Sequence, residues 1–532
     1  MLQSYFFDSA MSQSASPALW VDNRLYSYSE IEIRARRVSA GLTAVAWSGD
    51  MRRCLLFAYR SVAAYAGVLG ILDAGMAYVP LSPKMPATRI AAIIERSGAS
   101  LMLVDRRCAV ALDEVLSLLD EHPQIFLIDA AADESHLPSA IPALSPLPVA
   151  PYVQRQGTMR DVAYILFTSG STGVPKGVPI THANADAYVK SQLQTVGEMR
   201  EARYVQLCEL SFDPSVHDMF VCWASGGALY VPETVDPLYN ANFIKTHQIT
   251  HWNSVPSVAG IMQQMRKLTP GAFPSLRVSL FGGEQLPRTL ALAWMRAAPN
   301  GRLLHVYGPT EATVACTCFE VTTEFLDDPQ HTVIPLGWAI PGVELAIVDA
   351  ELEPVAAGQT GELLIGGPQL ADGYLSTDEP GNQRFIAKIY PGLRAHRWYR
   401  SSDAARATTG HGIVFQGRLD TQVKIRGNRI ELEEVEHVVQ ASSLAGLCAV
   451  VPWPLDEVGR TTGLVAFVTN PQVEIALVLR ACRQRLPVYA MPQRIVVIDA
   501  FPLTVNGKID RMALAGQCAS EVWLKTGVFC AT

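Results

Sequence analysis

The stretch AYILFTSGSTGVPKG, Ala163–Gly177, decides how the rest of the chain is read. A β-branched and aromatic run ends there in a loop of hydroxyls and glycines. Thr168, Ser169, Ser171 and Thr172 carry OH groups, Gly170, Gly173 and Gly177 let backbone amides face outward, and Lys176 adds positive charge. Such donors gathered on one loop suit phosphate oxygens. The spacing is not that of a Walker A loop. Counting GxxxxGK[ST] from Gly170 puts Pro175 where the second glycine must be, and Gly177 follows Lys176 where Ser or Thr is required. Val178 to Ile180 then read as strand, so no helix N-terminus is aimed at the phosphate. The plainer alternative is a Ser/Gly-rich surface turn.

On the N-terminal side, from about Trp20 to Asp129, short apolar runs alternate with helical stretches. Ser29 with Glu32 predicts a capping box opening a helix whose apolar face is Ile33, Val38 and Leu42. Strand-like runs follow at 54–58, 101–104 and 125–128, with helices between them, an alternation that argues for parallel sheets layered with helices. Prolines 138, 142, 146, 148 and 151 mark residues 131–160 as a connecting loop. On the C-terminal side, strand-like runs at 162–167, 203–207, 228–231, 249–252, 277–281 and 302–306 predict a second α/β stretch. Between 332 and 417 short strands and glycine-rich turns predict a small β unit. After Gly417 an α+β module is expected, with strands at 422–425, 446–451, 463–469 and 494–499 and helices at 432–440 and 474–486. The expected fold class is α/β: a large N-terminal body of two α/β sub-structures plus a small β unit over 1–417, a small mobile α+β C-terminal domain over 418–515, and a tail over 516–532.

Composition narrows the partners. The 532 residues correspond to about three structural units at ~150 residues each. Charged residues make up 17% and the net charge is -7, which leaves no basic footprint for nucleic acid. Val62 to Leu72 is the longest apolar stretch and is too short to cross a membrane. The N-terminus MLQSYFFDSA has an acid where a signal peptide needs basic residues. The ten cysteines contain no CxxC pair, so reduced thiols and a cytoplasmic location are expected.

With the loop FTSGSTGVPKG in place, further strings fall in order along the chain: LYSYSEI (25–31), LDAGMAYVPL (72–81), FDPSVHDMF (212–220), VYGPTEATV (306–314), GELLIGG (361–367), YRSSD (399–403), GRLDTQVKIRGNRIELEEVE (417–436), LPVYAMP (486–492) and NGKIDR (506–511). The chain thereby resembles the superfamily of adenylate-forming enzymes that includes acyl-CoA ligases, luciferases and the adenylation domains of nonribosomal peptide synthetases. The 417–436 and 506–511 strings resemble its amino-acid-activating branch.

The resemblance implies ATP and Mg²⁺ as cofactors and a role for each matching residue. Attack of a carboxylate on the α-phosphate of ATP brings two anions together, so the site must supply positive charge in a water-poor cleft. Lys508 is the candidate to bridge them. Glu311 is an oxygen ligand suited to Mg²⁺ and Thr310 a hydroxyl donor to phosphate. Tyr307 offers a flat face to adenine, beside Gly308, and the Gly282-Gly283-Glu284 backbone allows close approach to the adenine edge. Asp403 resembles the carboxylate that holds the ribose hydroxyls, with Arg418 a ribose or phosphate contact. Asp420 stands at the family's interdomain hinge, and Lys424 and Gly427 at the face turned to an incoming thiol; both also suit a simple hairpin.

Asp213 resembles the carboxylate that pairs with a substrate α-ammonium, a selector because an unpaired buried charge is costly. The side-chain pocket carried over is Pro214, His217, Asn253, Leu280, Gly282, Val306, Val314 and Ala315, aliphatic with two polar groups, which points to a small or medium polar amino acid, threonine-like. The expected activity is formation of aminoacyl-AMP and transfer to the phosphopantetheine thiol of a carrier protein. No attachment site of LGG-x-S type occurs in the 21 residues after Arg511, so the carrier is expected to be a separate chain, unless this sequence is cut from a longer synthetase. An acyl-CoA ligase is the enzymatic rival. The departure to Ser401 and Ser402, where Thr and Gly are usual, keeps a nucleotide-binding pseudoenzyme as the alternative from another class. Asp372 replaces a usual basic residue at an expected surface position.

Overall fold

The parallel strands owe their place to near-continuous apolar runs, as strands covered on both faces require. Arg53–Phe57, Ala77–Leu81 and Leu101–Val104 are buried at every position. The computed structural model describes residues 1–45, 52–128, 145–153, 157–170, 173–197, 201–234, 236–442, 447–456, 459–469, 472–504, 509–519 and 528–529. Among them the chain divides into two compact units. One holds Met1–Pro83, Ile94–Phe167 and Gly177–Leu419; the other holds Lys84–Ile93, Thr168–Lys176 and the chain from Asp420.

In the first unit, one sheet of the described residues runs in the order Trp338–Ala339, Thr317–Val321, Arg302–Tyr307, Val278–Phe281, His251–Ser254, Arg203–Val205, Ala228–Tyr230, Pro17–Val21 and Arg24–Ser27. Its central strands are parallel, with Asn253 opposite Leu280 and Leu280 opposite Leu304. A second sheet centres on Arg53–Phe57 and Ala77–Leu81, parallel and in register from Arg53 opposite Ala77 to Phe57 opposite Leu81. A third is antiparallel, with Arg397–Thr408 between Thr360–Gly366 and Gly412–Arg418. These are the two α/β sub-structures and the small β unit.

Two helices show how local chemistry sets their ends. The helix Tyr28–Ala44 is capped by Ser27, whose hydroxyl accepts from Glu30 N at 3.3 Å while Ser27 N donates to Glu30 Oε2 at 2.8 Å. The expected box of Ser29 and Glu32 therefore lies two residues too late. Tyr28, Ile31, Ala35, Val38 and Leu42 form the buried face, and Ile33, 70% exposed, is on the far side. Helix His182–Val196 begins with a second box, Thr181 with Asn184. The expected strand at Val178 to Ile180 is part of Lys176–Thr181. The apolar stretch from Val62 is a helix, Val62–Asp73, buried almost throughout, and no helix of the described residues is long and apolar enough to cross a membrane.

The second unit contains the hairpin Gln422–Ile425 and Asn428–Glu431, helices Leu432–Ser442 and Ile475–Arg485, and a sheet of Cys448–Pro452, Leu464–Val468, Arg494–Val497 and Val528–Phe529. Arg426 and Gly427 both have positive φ, +49° and +76°, as a tight two-residue hairpin turn demands. Arg89 and Glu434 form a buried ion pair within this unit. Burial pushes the Glu434 carboxyl up, and Arg89 works against that shift. Of the prolines expected to make the 131–160 loop, those at 138 and 142 lie outside the described residues.

Candidate active site

The carboxyl ends of parallel strands are where open α/β sheets place ligands. Asn253, Leu280, Gly282 and Val306 stand at that end of three neighbouring strands in the first unit. Leu280 and Val306 belong to one apolar cluster with Leu304 and Cys318. A Cβ on Gly282 would lie 2.9 Å from the Val306 carbonyl oxygen, so only glycine lets these strands close up there.

The polar residues expected to line the pocket come from the segment after Asp213. Pro214 opens the short helix Pro214–Val216, which continues as a π-helical turn over His217–Val221. Such turns recur at functional sites because the extra residue re-aims side chains. The Tyr188 hydroxyl and His217 Nδ1 are hydrogen-bonded at 2.8 Å. Burial lowers the imidazole to about 4, so His217 is neutral near pH 7, and its buried Nε2 has no partner among the described residues. Asp218 was not foreseen. Its carboxyl accepts from Asn253 Nδ2 at 2.8 Å and from Cys208 Sγ at 3.7 Å, and burial raises it to about 8. Asn253 is thus held by an acid behind it, with its amide NH₂ turned to Asp218.

The residues of the first unit expected to contact nucleotide form a second group. Tyr307 ends the strand Arg302–Tyr307, and its hydroxyl donates to Asp403 Oδ2. Arg418 Nη1 donates to Asp403 Oδ1 at 2.7 Å from the neighbouring strand, where the two residues are paired. Gly308 must be glycine, since a Cβ would come within 2.5 Å of Ala315 Cα. Thr310 and Glu311 form the 3₁₀ turn Thr310–Ala312. Glu311 is fully buried, and Tyr374 donates its hydroxyl to Glu311 Oε1 at 2.6 Å. Gly283 has φ +80°. The Glu284 carboxylate accepts from Ser257 N at 3.0 Å, and its carbonyl oxygen is hydrogen-bonded with His305 Nε2 at 3.2 Å.

At YRSSD, Ser402 has φ +57°, the left-handed region that explains why glycine is usual there. The Ser401 hydroxyl donates to the Leu363 carbonyl at 2.7 Å and accepts from Asp403 N at 3.0 Å, so it orients the carboxylate. A left-handed residue other than glycine costs roughly 1–2 kcal/mol, of which glycine's greater freedom in the unfolded chain returns part. Ser402→Gly is therefore expected to stabilise the protein by about 0.5–1 kcal/mol in urea unfolding; a loss of stability would contradict this. Asp372 is exposed and paired with Arg397 at 2.6 Å.

Of the remaining candidates, Val314 and Ala315 lie in the first unit and the other described ones in the second. In the phosphate loop Gly173 N donates to the Gly170 carbonyl at 2.9 Å, and a Cβ on Gly170 would meet the Val174 carbonyl at 2.0 Å. Ser169 Oγ donates to the Arg429 carbonyl at 2.9 Å, and Lys176 Nζ is 3.8 Å from Glu431 Oε1. Thr168 Oγ1 is buried with no hydrogen-bond partner among the described residues. Asp420, the first residue of this stretch of the unit, accepts from Gln422 N at 3.2 Å. Lys424 and Gly427 sit on the hairpin. Ser171, Thr172 and Lys508 lie outside the described residues. None of the nine described cysteines is in a disulfide.

The fold and these two groups of residues define a nucleotide-dependent enzyme of known lineage: the chain belongs to the AMP-binding enzyme family, which it matches over residues 6–375, with the AMP-binding enzyme C-terminal domain over 434–508. Among its relatives, an L-proline--[L-prolyl-carrier protein] ligase of Pseudomonas fluorescens is 33% identical over 500 residues, 92% of this chain and 94% of that protein. Bacitracin synthase 1 of Bacillus licheniformis is 32% identical over 96% of this chain, which spans only 9% of that protein's length. The solved Vibrio cholerae adenylation domain AlmE, in complex with glycyl-adenosine-5'-phosphate, superposes with a TM-score of 0.85 at 32% identity, covering 98% of each chain.

Proposed function

We propose that this protein activates an amino acid as aminoacyl-AMP, with release of pyrophosphate, and passes the aminoacyl group to the phosphopantetheine thiol of a carrier protein. The observation that carries the reading is Asp213, an acid placed where the pocket begins, beside Tyr164 and Tyr188, whose hydroxyls burial and the Asp213 charge both push up. A substrate α-ammonium is the partner such a carboxylate selects, and fatty or aryl acids offer none.

In the first step a carboxylate oxygen of the amino acid bonds to the α-phosphorus, and the bond to the bridging oxygen breaks, its electron pair leaving on pyrophosphate. Asp213 holds the ammonium, the Asp403 carboxylate holds the ribose, and Tyr307 lies along the adenine. Lys508 offsets the charge shared by the attacking carboxylate and the α-phosphate. Glu311 fits Mg²⁺, being a single buried carboxylate oriented by Tyr374, since Mg²⁺ takes few protein ligands beside phosphates and water. The ion, when bound, offsets phosphate charge. In the second step the thiolate sulfur bonds to the carbonyl carbon and AMP leaves with its oxygen's electron pair, with Asp420 as the hinge and Lys424 and Gly427 on the thiol-facing hairpin.

Within amino acids, the pocket residues His217 and Asn253 support a small or medium side chain able to form a hydrogen bond. Threonine is the choice from sequence, whereas the amino acids named for the relatives are proline and glycine, so all three belong in the test. Amino-acid-dependent pyrophosphate exchange, measured over a panel of amino, hydroxy, fatty and aryl acids, is expected to respond to one amino acid above the rest. Lys508→Ala is expected to lower it by about 100-fold or more, as loss of a charge aimed at the transition state does. Exchange with no acid would sink the reading; preference for fatty or aryl acids would move the protein to the CoA ligases.

A further inference from the structure

We propose that Gln369 is a positioning residue for amino-acid selection: its buried side-chain amide holds the Thr313–Val314 turn in a strained backbone and so sets the pocket wall formed by Val314 and Ala315. The proposal rests on the reading of this site as an amino-acid pocket.

Thr313 and Val314 have φ of +56° and +69°, two consecutive left-handed residues without a glycine between them. Val314 is β-branched, which makes that conformation a rarity. Backbone of this kind persists only where surrounding contacts over-determine it, and such strain gathers at ligand sites. Here the contacts converge on Gln369. Its Nε2 donates to the Ala315 carbonyl at 2.9 Å and to the Ala312 carbonyl at 3.3 Å, one on each side of the strained pair. The Thr313 hydroxyl returns a bond to the Gln369 carbonyl at 2.6 Å. Gln369 is 2% exposed, and its Oε1 is buried without a hydrogen-bond partner among the described residues. The side chain therefore forgoes its acceptor bonds to keep both donors on the turn, which stability alone does not favour.

Gln369 is itself anchored. Asn184, from the capping box of helix His182–Val196, donates to the Pro368 carbonyl at 2.8 Å and to the Leu370 carbonyl at 3.1 Å. The same helix carries Tyr188, which holds His217. Both the polar side and the aliphatic wall of the pocket thus hang from one helix. The neighbouring turn also holds the nucleotide side, because Ala371 N donates to the Glu311 carbonyl at 2.9 Å. That bond is independent of the Gln369 side chain, so the effect of changing the side chain falls on the amino acid rather than on ATP.

The test is Gln369→Leu, which keeps the volume and removes both donors. Pyrophosphate exchange is expected to show an amino-acid KM raised about tenfold, an ATP KM changed less than about threefold, and a narrowed rate ratio between the preferred amino acid and one larger by a methylene. An unchanged amino-acid KM and ratio, or an ATP KM rising in equal measure, would overturn the proposal. If Gln369→Leu does not fold, Thr313→Val removes the returning hydroxyl bond alone and is expected to raise the amino-acid KM about threefold, with no change overturning it. A readout free of activity is a melting-temperature cycle with Val314→Gly, since glycine takes the turn without strain. The loss caused by Gln369→Leu, or by Thr313→Val, should shrink by half or more in the Val314→Gly background, and a fully additive loss would overturn the proposal. Absence of exchange in the unaltered protein would sink the proposed function and leave the melting cycle to judge Gln369.

Discussion

Asp213→Ala is expected to lower kcat/KM for the amino acid by about 100-fold or more while moving the ATP KM only a few fold. A 100-fold loss is about 2.7 kcal/mol, below the ~3–5 kcal/mol typical of removing one partner from a buried ion pair. Asp213 lies at the start of the helix Pro214–Val216, and its side chain does not cap that helix. The loss should appear in the KM for the amino acid. Exchange measured with the preferred amino acid and with its deaminated hydroxy analogue separates the outcomes. Asp213→Ala should bring the two substrates to similar, low rates. If it leaves amino-acid exchange untouched, the ammonium is held elsewhere.

Asp403→Ala carries the second large effect, on ATP. Asp403 is 5% exposed and engaged on both oxygens, by Tyr307 and by Arg418. Removing it strips the proposed ribose acceptor and leaves a largely buried guanidinium and a buried hydroxyl without their common partner. A loss of about 100-fold in kcat/KM for ATP, or about 2.7 kcal/mol, is the expected result. Asp403→Asn keeps an oxygen for one donor but not the charge, so a loss of about tenfold is expected for it. Steady-state exchange with varied ATP reads both. Equal effects of the two variants would show that shape, not charge, is what the ribose end requires.

Much of the architecture was legible because it rests on periodicity. Strands such as Leu101–Val104 and Gln422–Ile425 fall where the apolar runs put them. The helix Tyr28–Ala44 shows the limit. Two Ser-x-x-Glu spacings fit there, Ser27 with Glu30 and Ser29 with Glu32, and only the burial of Tyr28, Ile31 and Ala35 decides between them. Choosing the later box rotated the expected face and drew in Ile33. The division into two units was less legible, because Lys84–Ile93 and Thr168–Lys176 join the second unit through contacts with residues far along the chain.

The candidate site was legible where motif and chemistry coincide, as at Asp213, Glu311 and Asp403, and illegible where a residue acts through another. Asp218 follows His217 directly, but the π-helical turn that brings it behind Asn253 has no periodic signature. Tyr374 stands in ADGYL, and nothing in that string says that its hydroxyl holds Glu311. Gln369 is one residue among loop-forming glycines and prolines, and its role follows from two left-handed residues more than fifty positions earlier. Ser402 is the reverse case: a departure from a resembling motif at a position whose backbone is left-handed.

The contact between Gly282 and Val306 divides the pocket's walls by how freely they can be redesigned. At Gly282 the barrier to any side chain is the carbonyl oxygen of a central strand, 2.9 Å from where a Cβ would stand, and a strand flanked on both sides has no room to retreat. The Leu280 side chain, by contrast, packs within a small apolar cluster. If the proposed pocket is right, selection for a new amino acid is expected to work through Leu280 and the residues opposite it, with Gly282 unchanged.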